Sequence, residues 1–398
     1  MALTMEMILE AQKRLKGVVR TTPLTQTKNL GENVYIKAEN LQVTGAFKIR
    51  GAYNLVSSLT PEERAKGVIA CSAGNHAQGI ALSATKLGCK SIICMPAAAP
   101  ISKVEATKKY GAEVVLVDGV YDDAAAEAER LTREKGYTFA HPFNDPRVMA
   151  GQGTIALEIL EQLPEVEQIV VPIGGGGLIS GMAVAVKTLK PSCKVIGVQA
   201  ANVASMYDSI NAGKIITLPG GDTIADGIHV MTPGDQTFEI VQKYVDEVVV
   251  VEEDEIAAAI LTLLEGNKTV AEGAGATTVA ACMFGKVDAS NKKTVCLVSG
   301  GNVDVTTLSR IITKGMVKTG RIAEFSTKVA DRPGKLIEFL QLVSNTGANI
   351  IHVDHSRENK HSDVDACVVS LTLETRDAAH IAAIRKSVTD KGYEIIDD

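Results

Sequence analysis

No apolar run in this 398-residue chain approaches the roughly 20 residues that a membrane-crossing helix needs. The opening segment, MALTMEMILEAQKRLKG, mixes charge into its apolar residues and lacks the core of a signal peptide. It predicts an amphipathic helix. There is no basic stripe, and the net charge of −6 argues against a nucleic-acid partner. The seven cysteines are scattered without zinc-knuckle spacing, and Cys71, Cys94 and Cys296 lie inside apolar runs. That pattern suits reduced, buried thiols in a cytoplasmic protein. Low-complexity tracts and arrays of short repeats are absent too.

What is present is an ordinary globular composition, 45% hydrophobic and 22% charged, in a chain longer than one core usually holds. From about residue 34 to 312, short apolar runs alternate with helical stretches: VIAC, SIICM, VVLV, QIVVPI, VIGVQ, EVVVV and TVCLV. The alternation predicts mostly parallel sheets covered by helices. Its length predicts two α/β lobes. Ligands in such folds bind where loops leave the C-terminal ends of strands.

After Gly320 the rhythm becomes strand, helix, strand, strand, helix, strand. Residues 321–398 therefore predict a separate ferredoxin-like βαββαβ domain, thin enough to pair with another copy.

Four segments carry chemistry. In TGAFKIRGA, Lys48 is flanked by Phe47, Ile49 and small residues. Burial would lower its pKa and make it a Schiff-base nucleophile, whereas a solvated surface lysine is the plain alternative. SAGNHAQG turns from the strand VIAC into a helix. Its amides offer an anion site suited to a substrate carboxylate, or Ser72 or Asn75 simply caps the helix. Gly174, Gly175, Gly176 and Gly177, followed by Leu178, can fold closely around a phosphate at a helix N-terminus. A dinucleotide site would want an acidic residue ending the next strand; VIGVQ ends in Gln199, so NAD chemistry is disfavoured. No Gly-Lys-Ser/Thr follows, which rules against a Walker A loop. SGGN, after TVCLV, places the Ser299 hydroxyl where it could face a neutral ring nitrogen, or forms a plain turn.

Jointly these segments resemble the fold-type II pyridoxal-phosphate (PLP) enzymes, of tryptophan synthase β-like fold, and within them the threonine dehydratases. The resemblance runs from about residue 5 to 315 and includes HPFNDPRVMAGQGT; it implies a catalytic domain over residues 1–318 with a small lobe, about 50–150, inserted in the large one. It implies roles. Lys48 would bind PLP covalently and act as the base at the substrate Cα. Phe47 would pack near the cofactor ring, and Asn75 would bond its 3′-oxygen. Gly174 to Gly177 and Leu178 would hold its phosphate, with Ser299 at the pyridine nitrogen. Ser72, Ala73, Gly74 and His76 would line the substrate carboxylate loop. The reaction implied is dehydration and deamination of L-threonine to 2-oxobutanoate and ammonia, with L-serine giving pyruvate.

Related racemases carry a second serine where this chain has Ala73, so racemisation is disfavoured. Their divalent-cation ligand is replaced by Gln199, and Val203 and Ser205 add little, so no metal site is expected. The tail resembles an ACT domain, a module that senses amino acids as paired copies. That implies an effector, isoleucine or valine, near Asp331, Arg332, Pro333, Gly334, Asn349 and Ile350, and a homodimer or homotetramer. His352, Asp354, His355 and His361 read as surface residues rather than a metal cluster. Three other readings stay open: a serine or hydroxyaspartate ammonia-lyase, a non-catalytic amino-acid sensor, and a domain kept only for oligomerisation.

Overall fold

The computed structural model describes residues 2–27, 29–358 and 364–396; His361 lies outside the described residues. The chain divides into two compact units, Met1–Thr307 and Leu308–Asp398, and the division falls within the helix Val305–Lys318.

The first unit contains two sheets. One has the strand order β1-β2-β10-β7-β8-β9, formed by β1 (Leu24–Gln26), β2 (Val34–Ala38), β7 (Gln168–Pro172), β8 (Lys194–Ala200), β9 (Glu247–Val251) and β10 (Thr294–Val298). All its pairings are parallel except β1 with β2. β7 and β10 are buried at every residue, as a strand covered on both faces must be. The other sheet, wholly parallel, has the order β5-β4-β3-β6: β3 (Val68–Cys71), β4 (Ser91–Pro96), β5 (Glu113–Val117) and β6 (Thr138–Phe139). Its strands fall in sequence between β2 and β7 of the first sheet.

The N-terminal helix, Met5–Leu15, buries Ile8, Ala11 and Leu15, a spacing of three and four that gives one apolar face. Beneath it lies a buried charge network. The Arg50 guanidinium donates to both Glu39 oxygens at 2.7 and 2.8 Å and to Glu158 at 2.7 Å; Lys37 Nζ meets Glu158 at 2.5 Å. Arg50 is 1% exposed and Lys37 0%. Such ions persist inside only because each is paired.

Helix Lys48–Ser57 separates two tasks by its geometry. Residues two apart point about 200° from each other around a helix. Arg50 thus enters the ion network while Lys48 faces the opposite way.

The second unit holds an antiparallel sheet of order β12-β13-β11-β14: β11 (Ile322–Ala330), β12 (Asn349–Ser356), β13 (Ala366–Glu374) and β14 (Ile395–Ile396). Helices Lys335–Ser344 and Ala378–Asp390 complete the βαββαβ order. Phe325, Val329, Phe339, Val343, Leu371 and Ile384 form its core. Among the described residues, no helix of the chain is long and apolar enough to cross a membrane.

Candidate active site

The four segments singled out in the sequence follow strand ends or open helices, and hydrogen bonds join three of them directly. Phe47 N–H donates to the Ser299 carbonyl at 3.0 Å, and Gly301 N–H to Gly45 O at 2.9 Å. Asn302 Nδ2 reaches both Thr44 O (2.8 Å) and Asn75 Oδ1 (2.7 Å). The lysine turn, the Ser72 loop and the Ser299 turn therefore meet. The glycine turn joins them through HPFN. Lys48 Nζ donates to Pro142 O at 3.0 Å, and the next residue, Phe143, covers the turn so closely that a Cβ on Gly175 would lie 2.4 Å from its ring.

Lys48 is partly buried, and its ammonium lies 5.3 Å from the Phe47 ring centroid. Desolvation pushes its pKa down to about 8, against a smaller opposing pull from Glu272. A sizeable fraction of this amine is neutral near physiological pH, as a carbonyl-capturing amine requires.

Gly174 to Gly177 join β7 to the helix Gly177–Leu189. Gly176 has φ +94, and a Cβ there would sit 2.8 Å from Met206 and Thr237. The helix start has no side-chain cap, so its first amides are available to an anion. Leu178 is buried in the core beside them.

Ser72, Ala73 and Gly74 are half-buried; Gly74 N–H donates to Ser72 Oγ at 3.2 Å. The helix Asn75–Lys86 that follows also lacks a side-chain cap. His76 turns away from the loop. It is 3% exposed, and burial pushes its pKa down to about 3, the nearby Lys48 charge adding to the effect. It is therefore a neutral imidazole. Its Nε2–H donates to Ala140 O at 2.8 Å, and Nδ1 is buried without a partner among the described residues. Ser299 is 2% exposed, and its hydroxyl has no protein partner among the described residues.

Glu272 was not visible in the sequence reading. It is 3% exposed, and its carboxylate accepts from Asn75 Nδ2 at 2.8 and 3.0 Å. Desolvation raises its pKa to about 7, only partly offset by the Asn75 bond. A lone acid in the apolar run VAEGAGATTVAA is the signal that could have found it.

Gln199 is fully buried, with Oε1 accepting from Tyr207 N–H at 2.8 Å. A surface cavity of about 260 Å³, lined by Val166, Glu167, Lys190, Ser192, Lys194 and Lys292, lies at the opposite, N-terminal ends of the strands. Ligand sites of open α/β sheets do not form there.

In the second unit, the six effector candidates do not meet within one chain. Asp331, Arg332, Pro333 and Gly334 follow the end of β11. Asn349 pairs with Glu374, level with Ile322 at that strand's start. Eight to nine residues, about 26–30 Å of strand, separate the two groups.

The model of the pyridoxal-phosphate dependent enzyme family matches residues 15–301. This chain belongs to that family. It is 51% identical to the L-threonine ammonia-lyase of Thermotoga maritima over 397 residues, 99% of each protein. It is 48% identical to the catabolic L-threonine dehydratase TdcB of Escherichia coli over 310 residues, 76% of this chain and 94% of that one. Among solved structures, threonine deaminase isoform 2 of Solanum lycopersicum matches with a TM-score of 0.75 and 36% identity, covering 80% of this chain and 91% of that one. Maize serine racemase matches with a TM-score of 0.74 and 38% identity, covering 80% and 99%.

The residues present fit pyridoxal phosphate: a desolvated amine, a glycine turn at an uncapped helix start, and, on the 2% exposed Ser299, a hydroxyl with no protein partner among the described residues.

Proposed function

We propose that this chain is an L-threonine ammonia-lyase, converting L-threonine to 2-oxobutanoate and ammonia and L-serine, as a second substrate, to pyruvate. The observation that carries the reading is the Lys48 amine, held near pKa 8 where all four segments converge. The full-length likeness to a threonine ammonia-lyase supports the choice of substrate.

Lys48 would hold the cofactor and Gly174 to Gly177, with Leu178, its phosphate; Phe47 and Asn75 would flank the ring. Bound there, pyridoxal phosphate supplies a carbonyl that captures amino groups and a sink for the electron pair of the Cα–H bond. The chain's own groups do the rest. Ser72, Ala73, Gly74 and the first amides of the helix Asn75–Lys86 bind the substrate carboxylate. Lys48 Nζ, neutral, takes the Cα proton. The β-hydroxyl departs as water, gaining one proton to balance the one that Lys48 Nζ removes from Cα, and hydrolysis of the freed enamine yields the 2-oxo acid and ammonia. Ser299, an uncharged partner, leaves a ring nitrogen unprotonated, which favours elimination over transamination. Ala73 has no proton to deliver to the opposite face, which speaks against racemisation. Gln199, an uncharged amide, speaks against a divalent-cation site in this unit.

The C-terminal unit is read as an ACT module responding to isoleucine or valine. A second copy pairing its edge strand antiparallel to β12 would bring its Asn349 and Ile350 to the Asp331–Gly334 turn of the first. A homodimer or homotetramer is the corresponding assembly. Its cysteines, all free thiols, suit a reducing cytoplasm. Release of 2-oxo acid from a panel of hydroxy amino acids, with and without isoleucine, tests both parts. Threonine should be the best substrate; preference for serine or hydroxyaspartate, or no turnover, would overturn the assignment.

A further inference from the structure

We propose that the C-terminal unit binds a divalent late-transition metal ion, zinc foremost, between Asp331, His355 and Cys367. A carboxylate oxygen, an imidazole nitrogen and the Cys367 sulfur lie within 4.8 Å of one another. The register explains the convergence. His355 pairs with Val369 and Cys367 with Val329, so both side chains lie on the helix-covered face, two positions apart on neighbouring strands. Asp331 is set beside them by its N–H bond to Asp365 O at 2.9 Å.

The donor set decides the ion. Magnesium and calcium take all-oxygen shells, whereas a thiolate and an imidazole select zinc and its neighbours. Three protein ligands and one water complete a tetrahedral site. Cys367 is 1% exposed and its thiol now donates to Val329 O at 3.2 Å; burial holds its pKa above the usual thiol value. On binding, sulfur exchanges that proton, released to solvent, for the metal. The His355 ring has no hydrogen-bond partner among the described residues. The carboxylate and thiolate together balance the ion's two positive charges. One group opposes binding: Arg357 occupies both Asp331 oxygens at 2.6 and 2.9 Å. The metal replaces this guanidinium or shares an oxygen with it. A bound ion ties the end of β11 to β12 and β13 and stiffens the Asp331–Gly334 turn.

The test uses the full-length holoenzyme, stripped with a chelator and titrated with cobalt(II). A thiolate-to-cobalt charge-transfer band should appear, saturate at about one equivalent per chain and disappear when zinc is added. Magnesium should leave it unchanged. Cys367→Ser should abolish the band, His355→Ala should weaken cobalt binding at least tenfold, and Arg357→Gln should tighten it. His355 is partly exposed, so its variant tests the site even if Cys367→Ser misfolds. Absence of the band, or a band and stoichiometry unchanged in His355→Ala, overturns the proposal.

Discussion

The Asn75 amide bridges two groups that lie far apart in sequence, donating to the Glu272 carboxylate at 2.8 Å and accepting from Asn302 at 2.7 Å. Asn75 is thus held in one orientation from both sides. Glu272, with a pKa near 7, changes charge within the working pH range.

Replacing Glu272 by Gln should keep an acceptor for Asn75 but remove the titration. The wild-type log kcat/KM profile should show a limb near pH 7 that is missing in Glu272→Gln. The sign of the stability effect follows from the raised pKa. Between about 4.5 and 7 the folded state keeps a proton that the unfolded state has lost. Stability therefore falls as pH rises through that window, and urea titrations of Glu272→Gln should lack that slope. Glu272→Ala should be worse at every pH, because Asn75 loses its acceptor in a buried place.

Gly176→Ala should weaken cofactor binding at least tenfold and lower stability. The left-handed backbone alone costs an L-residue about 1–2 kcal/mol, and the new methyl would press on Met206 and Thr237. Absorbance titration with pyridoxal phosphate and thermal unfolding measure the two effects separately.

How much of this could be read from the sequence depends on how local each signal is. That the segments carrying Lys48, the four glycines and Ser299 lie where a helix begins or a strand ends was legible, because each of those signals is local in the chain. The βαββαβ order of the tail was legible for the same reason, since period-two and period-3.6 patterns switch cleanly there. Glu272 was not, because its partner Asn75 is 197 residues away and only the fold brings them together. Strand parity correctly set His355 apart from His352 and Asp354, but could not show that Asp331 and Cys367 wait on its other side. The proposed effector residues looked like one site in sequence, yet the register spreads them to opposite ends of the sheet.

Arg50→Ala should cost about 3–5 kcal/mol, the range for leaving buried charges unpaired. Glu39 would lose its two-oxygen partner, and Glu158 one of its two cations, keeping Lys37. Arg50→Lys should recover only part of this, since an ammonium cannot reproduce the two-oxygen contact with Glu39. Urea unfolding of both variants checks the order.

Isoleucine or valine should shift the threonine saturation curve several-fold in the full-length protein, and Asn349→Ala should remove the response while leaving turnover without effector unchanged. A chain ending at Gly320 that responds equally would place the effector site elsewhere.

The central claim is that one lysine holds the cofactor. Borohydride reduction of the holoenzyme, followed by peptide mass mapping, reads the attachment point directly. A phosphopyridoxyl mass on the peptide containing Lys48, with no label and no 2-oxobutanoate formation in Lys48→Ala, is the predicted result. Labelling of a different lysine, or full threonine turnover in Lys48→Ala, would contradict it.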